Sequence, residues 1–183
     1  MATEQKLMTA EELFDMPDDG MDHELVRGEL RTMPSPGFRH EETAAILILR
    51  FGPFVIEHEL GRIVGGPGFR LERSPDTVRA PDFAFIAAGR IPDDVSPAGY
   101  LDFAPDLVVE VVSPSDRATD VQEKVEQWLQ ADARMVLLLY PATRSMAVYR
   151  SPSDIRLLGR DDVFDGGDVL PGFSCRVSDL FPV

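Results

Sequence analysis

The 183-residue sequence has one cysteine, two lysines, one tryptophan and no long apolar run. Each scarcity excludes something. Cys175 cannot close an internal disulfide and has no CxxC partner for zinc, so it reads as a small core residue rather than a redox or metal centre. No stretch approaches the roughly 18 apolar residues of a membrane span, and MATEQKLMTAEEL lacks the charged-then-apolar order of a signal peptide, so a cytoplasmic protein is expected. Lysine is nearly as scarce. Sixteen arginines stand against Lys6 and Lys124, so the chain meets nearly every need for surface positive charge with arginine. Lys124 therefore reads as a specific choice, because a compact ammonium whose pKa responds to burial does what a guanidinium does not.

Basic residues are outnumbered overall. The formal charge of −14 excludes a generic nucleic-acid-coating protein, which neutralises phosphates with lysine and arginine. The distribution is uneven, however. Residues 1–24 carry eight acids against Lys6, whereas Leu25 to His40 holds Arg27, Arg31 and Arg39 against Glu29. Gly61 to Ala80 holds Arg62, Arg70, Arg73 and Arg79 against Glu72 and Asp76. A phosphate-facing rim and scattered surface arginines are both open readings of these two segments.

With 44% hydrophobic residues the chain suits one well-filled core, so a single domain over residues 1–183 is expected, with its centre at about 38–141. Thr9 and Glu12 form a capping box for a short helix from Ala10 to Met16. HELVRGELRTM reads as a hairpin turning at Gly28. A buried helix is expected from Arg39 to Glu59, kinked or interrupted at Pro53. RIVGGPGFRLE is a broken strand or two pieces, SPDT a turn, and PDFAFIAA a buried strand. GRIPDDVSPAGYLDFAP follows as a long loop. LVVEVV is another buried strand, ATDVQEKVEQWLQA a helix and MVLLLYP a third buried strand. Short C-terminal strands either extend the sheet or form a hairpin layer, with DDVFDGGD as a hairpin turn. The order predicts an α/β fold with a mixed central sheet.

Glu110 carries the strongest chemical signal, since a carboxylate amid LVVEVV costs several kcal/mol to desolvate unless paired, protonated or bound to a cation. Its alternatives are a solvent-facing position or an arginine partner. Asp82 follows Pro81, which is tolerated at a strand's first residue, but four other Pro-Asp pairs make it equally a structural candidate. Lys124 can return to Glu110. Three residues carry the strand about 10 Å forward, and eight residues of antiparallel helix come about 12 Å back. The alternative is a surface ion pair between Lys124 and Asp120. Trp128 and Phe69 read as core residues rather than base-stacking platforms.

The order Pro81-Asp82, Glu110 and a helical lysine resembles the PD-(D/E)XK nuclease superfamily. More closely, MTAEELFDMP, HELVRGEL, the loop to His40, APDFAFI, LVVEVVSPSD, the Asp120–Lys124 helix and GGDVLPGFSCRVSDLF resemble the Uma-two family of restriction-endonuclease-like proteins. The resemblance spans Met8 to Phe181. It implies a restriction-endonuclease-like core, Asp82 and Glu110 as ligands of Mg2+ or Mn2+, and hydrolysis of DNA phosphodiesters with Asp82, Glu110 and Lys124 as catalytic residues. The superfamily's usual lysine lies two residues after the strand glutamate, where this chain has Val112, and the family pattern supplies Lys124 from the helix instead. Glu24 and His40 match positions recurrent in the family and are possible additions to the site. For Glu24 an arginine pairing, and for His40 a helix-start hydrogen bond, remain open. A homodimer is expected where two DNA strands are cut. Val112 and the acidic charge keep open a catalytically silent binding or regulatory protein on the same scaffold.

Overall fold

The computed structural model describes residues 6–91 and 99–182. A six-stranded mixed sheet forms the centre. In chain order its strands are β3 (Gly61–Val64), β6 (Phe83–Ala87), β7 (Leu107–Val111), β8 (Met135–Tyr140), β9 (Ser145–Ser151) and β10 (Asp154–Leu158), arranged β10-β9-β8-β7-β6-β3. Of these six strands only β7 and β8 pair in parallel, and the helix α3 (Ala118–Gln130) makes the crossover between them. Both faces of the sheet are covered, which is why β7 and β8 read as continuous apolar runs.

Alternation along β7 divides the core. Leu107, Val109 and Val111 face the helix α2 (Phe38–Glu57), packing with Leu47, Phe51 and Val55. Val108 faces the other way, packing with Val125 and Trp128 of α3, and Glu110 shares its side of the pleat.

A second, four-stranded sheet has the order β2-β1-β5-β4, from β1 (Met21–Val26), β2 (Glu29–Pro34), β4 (Phe69–Glu72) and β5 (Thr77–Arg79). The β1–β2 hairpin turns through Arg27 and Gly28, whose φ angles of 50° and 79° are the left-handed pair a two-residue turn requires. The capping box of α1 (Ala10–Phe14) is present in both directions.

Several expectations change. RIVGGPGFRLE does divide, and its halves join different sheets: β3 pairs with β6, and β4 with β5. The strand β5 was not anticipated, since its three residues are too few to show a period. α2 runs uninterrupted through Pro53. That proline lies on the exposed side, where water can satisfy the Leu49 carbonyl that loses its helical donor. The C-terminal segment does both things foreseen: β9 and β10 extend the main sheet, while β11 (Val163–Asp165) and β12 (Ser174–Arg176) form a separate two-stranded sheet. Of the long loop after β6, residues 92–98 lie outside the described residues; Leu101 bridges to Phe69. Among the described residues, no helix is long and apolar enough to cross a membrane.

Candidate active site

Antiparallel pairing of β6 with β7 aligns Phe83 with Val109, and continuing that register sets Asp82 opposite Glu110. Directly opposed residues have Cβ atoms about 5 Å apart on one face of the sheet. The ladder ends here. Pro81 turns its carbonyl to the Gly66 N–H, 3.1 Å away, and Asp82 Oδ2 accepts the Val111 N–H at 2.6 Å. The Asp82 carboxylate thus replaces a backbone acceptor as β6 leaves the sheet.

Lys124 reaches Glu110 from α3. Its Nζ donates to Glu110 Oε2 at 3.0 Å and to the Ala80 carbonyl at 3.2 Å, and lies 3.1 Å from Glu24 Oε1. Strand advance and helical return cancel as the spacing predicted, so the surface pairing of Lys124 with Asp120 is not the one adopted. Trp128, one helical turn further along, donates its indole N–H to Glu110 Oε1 at 2.8 Å. It is buried, as expected, and it is also a polar partner of the site.

Glu24, on β1, takes the arginine partner that its alternative reading named. Arg79 NH1 donates to Glu24 Oε2 at 2.7 Å, and the Ala80 N–H donates to Oε1 at 2.9 Å. Arg79 also donates to Gln127 Oε1 at 2.6 Å. His40, the third residue of α2, does not cap that helix. Its Nε2 lies 3.2 Å from Asp82 Oδ2, while its buried Nδ1 has no hydrogen-bond partner among the described residues. All five sequence candidates, Glu24, His40, Asp82, Glu110 and Lys124, line one cleft of about 1070 Å³.

The charges in the cleft are strongly coupled. Burial is the largest influence on Glu110; Lys124 counters it, Asp82 and Glu24 reinforce it, and the carboxyl is pushed up to about 7. Burial also disfavours the Lys124 ammonium, yet Glu110, Glu24 and Asp82 together hold its pKa above the ordinary lysine value. For Glu24 burial acts upward, but Lys124 and then Arg79 bring the carboxyl below its usual range. The hydrogen bond to Asp82 raises His40, against the opposing effect of burial.

Two oxygen-ligand residues, Asp82 and Glu110, stand side by side; among the described residues no group of three or more potential ligands forms a ready-made metal cage. Arg79, Trp128 and Gln127 were missed as site residues. The available signal was Arg79 itself, an arginine immediately before Ala80-Pro81-Asp82. The arginine-rich segments do not make a rim as a group: Arg70 and Arg73 pair with Asp102, Arg31 with Glu29, and Arg79 is buried against Glu24.

The fold is similar to that of the 1.96 Å crystal structure of a "putative nuclease belonging to DUF820" from Anabaena variabilis. The TM-score is 0.83 at 20% identity, covering 95% of this chain and 97% of that one. No curated protein matches the sequence. The family Uma2, described as "Putative restriction endonuclease", matches residues 10–178. With nearly the whole length matched, the chain belongs to the Uma2 family of restriction-endonuclease-like proteins.

Proposed function

We propose that this chain is a divalent-metal-dependent endonuclease that hydrolyses phosphodiester bonds in DNA, with the whole chain acting as one domain. One observation carries the reading: Asp82 and Glu110 are cross-strand neighbours, and the Lys124 ammonium sits 3.0 Å from Glu110. Mg2+ and Mn2+ favour oxygen ligands, and Mg2+ keeps several waters, needing only one or two carboxylates from the protein. Asp82 and Glu110 supply that donor set. The raised Glu110 carboxyl supports this reading, because burial outweighs the Lys124 ammonium there and a divalent cation would add the missing positive charge. When bound between these carboxylates, such an ion would acidify a coordinated water and offset charge on the phosphoryl oxygens.

The remaining residues hold this arrangement. Three acceptors fix the Lys124 ammonium, so it can stabilise negative charge developing on the phosphate without first being ordered. Arg79 and the Ala80 N–H orient Glu24, which in turn helps to orient Lys124. His40 and the Val111 N–H engage Asp82 Oδ2, leaving Oδ1 without a hydrogen-bond partner among the described residues. Arg117, at the start of α3, lines the cleft and is a candidate phosphate contact.

The test is cleavage of supercoiled and linear DNA with Mg2+, Mn2+ or a chelator. Metal-dependent nicking should disappear in both Asp82→Asn and Glu110→Gln; cleavage unchanged in both variants overturns the site. A catalytically silent binding or regulatory role draws on the net charge of −14 and on the occupation of both Glu110 oxygens by Trp128 and Lys124. Calorimetric titration with Mn2+ separates the two readings. Tight binding lost in Glu110→Ala favours the nuclease.

A further inference from the structure

α2 buries one side and, among the described residues, leaves the other without a partner. Leu47, Phe51 and Val55 enter the core, while Phe38, Leu49 and Ile56 are 81%, 71% and 72% exposed. At 100° per residue, Phe38, Ala45, Leu49 and Ile56 fall within about 40° of one another, forming a stripe along the whole helix. A solvated helix face normally carries charge, so this stripe requires an explanation.

Its spacing identifies the occupant. Positions 38 and 56, and positions 45 and 49, are symmetric about residue 47. An antiparallel copy of α2 related by a two-fold axis at that point sets Phe38 level with the partner's Ile56 and Leu49 level with the partner's Ala45. The small alanine leaves room for leucine. The charges bordering the stripe obey the same symmetry. Arg39 comes within about 3 Å, measured along the axis, of the partner's Glu57. The pair is opposite in sign and occurs twice. Both residues lie on one side of the stripe, about 100° round the helix from it, and a two-fold axis brings those two sides together.

We propose that α2 is the interface through which two copies of this chain form an antiparallel, two-fold homodimer. Apolar area supplies the attraction, while the Arg39–Glu57 pair fixes direction and register. The cleft borders the opposite side of the stripe, at Glu41, Ala44 and Ile48, and reaches Ala45 at the stripe's edge. The axis therefore leaves both clefts open toward one side of the dimer. The interface itself does not depend on nuclease activity.

Sedimentation equilibrium of the full chain at micromolar concentration tests the proposal. Wild type should be a dimer, and Leu49→Glu should raise its dissociation constant at least about 100-fold, as expected of a central residue present twice. Leu157→Glu, on the exposed edge strand β10, should leave it unchanged. Arg39→Glu alone should weaken the dimer, and Arg39→Glu with Glu57→Arg should restore it, a rescue that a merely misfolded variant does not show. A monomeric wild type, a dimer indifferent to Leu49→Glu, a dimer lost in Leu157→Glu, or no rescue by the double exchange overturns the proposal.

Discussion

Replacing Lys124 with methionine keeps most of the side-chain volume and removes the ammonium shared by Glu110, Glu24 and the Ala80 carbonyl. The cost should depend on pH because Glu110 can accept a proton. In wild type its carboxyl is raised from 4.5 to about 7, so the folded state holds the proton more tightly than the unfolded chain. That contribution favours folding below the unfolded pKa and is lost as pH rises through the folded one. Without Lys124 the folded pKa of Glu110 moves higher still, so the variant keeps losing stability above neutrality where wild type has levelled off. Near pH 5.5 Glu110 is neutral in both proteins, and Glu24 retains Arg79 and the Ala80 N–H; the variant should then be weaker by about 1–2 kcal/mol. Near pH 8.5 an uncompensated buried carboxylate should bring the difference to about 3–5 kcal/mol. Urea denaturation followed by circular dichroism, in chelator, measures both values. A difference that is equal at the two pH values, or larger at the lower one, refutes the account of Glu110.

Asp82→Asn should lower the pKa of His40, since the Asp82 hydrogen bond is the largest influence raising it and burial acts the other way; an unchanged imidazole titration by NMR contradicts the pairing. In wild type, the His40 contribution to stability is complete below its unfolded pKa and is lost as pH rises through the higher folded value. Arg79→Met should cost about 3 kcal/mol by leaving Glu24 with less compensation, and Glu24→Gln in the same chain should recover part of that loss in a double-mutant cycle. Because the only tryptophan donates to Glu110, Mn2+ should change intrinsic fluorescence saturably in wild type and leave Glu110→Gln unchanged; equal responses would remove Glu110 from the metal site.

Features set by neighbouring residues were legible in the sequence. The capping box at Thr9 and Glu12, the turn at Gly28 and the apolar runs of β7 and β8 each follow from local chemistry. What escaped depended on distant partners. β5 has three residues and no period of its own; pairing with β1 and β4 makes it a strand. Pro53 predicts a break when considered alone, and its exposed position in a long, well-packed helix allows α2 to continue.

The same distinction runs through the cleft. Glu110 was readable because an acid in an apolar strand needs a partner whatever the fold, and Lys124 because this chain otherwise avoids lysine. Arg79 and Trp128 carried no such local conflict. A tryptophan on the apolar side of a helix is already accounted for by packing, so nothing in α3 announces that its indole N–H serves Glu110. Two residues beyond Glu110 the strand holds Val112, and the ammonium beside the carboxylate comes from α3 instead. The face of β7 that carries Glu110 lies against α3, so an ammonium can approach the carboxylate from the helix as directly as from the strand. Placement on α3 also brings Lys124 within reach of Glu24 and the Ala80 carbonyl. The position of this charge is thus set by the packing of two elements rather than by its distance along one, and the pairing of β6 with β7 brings Asp82 to the same place.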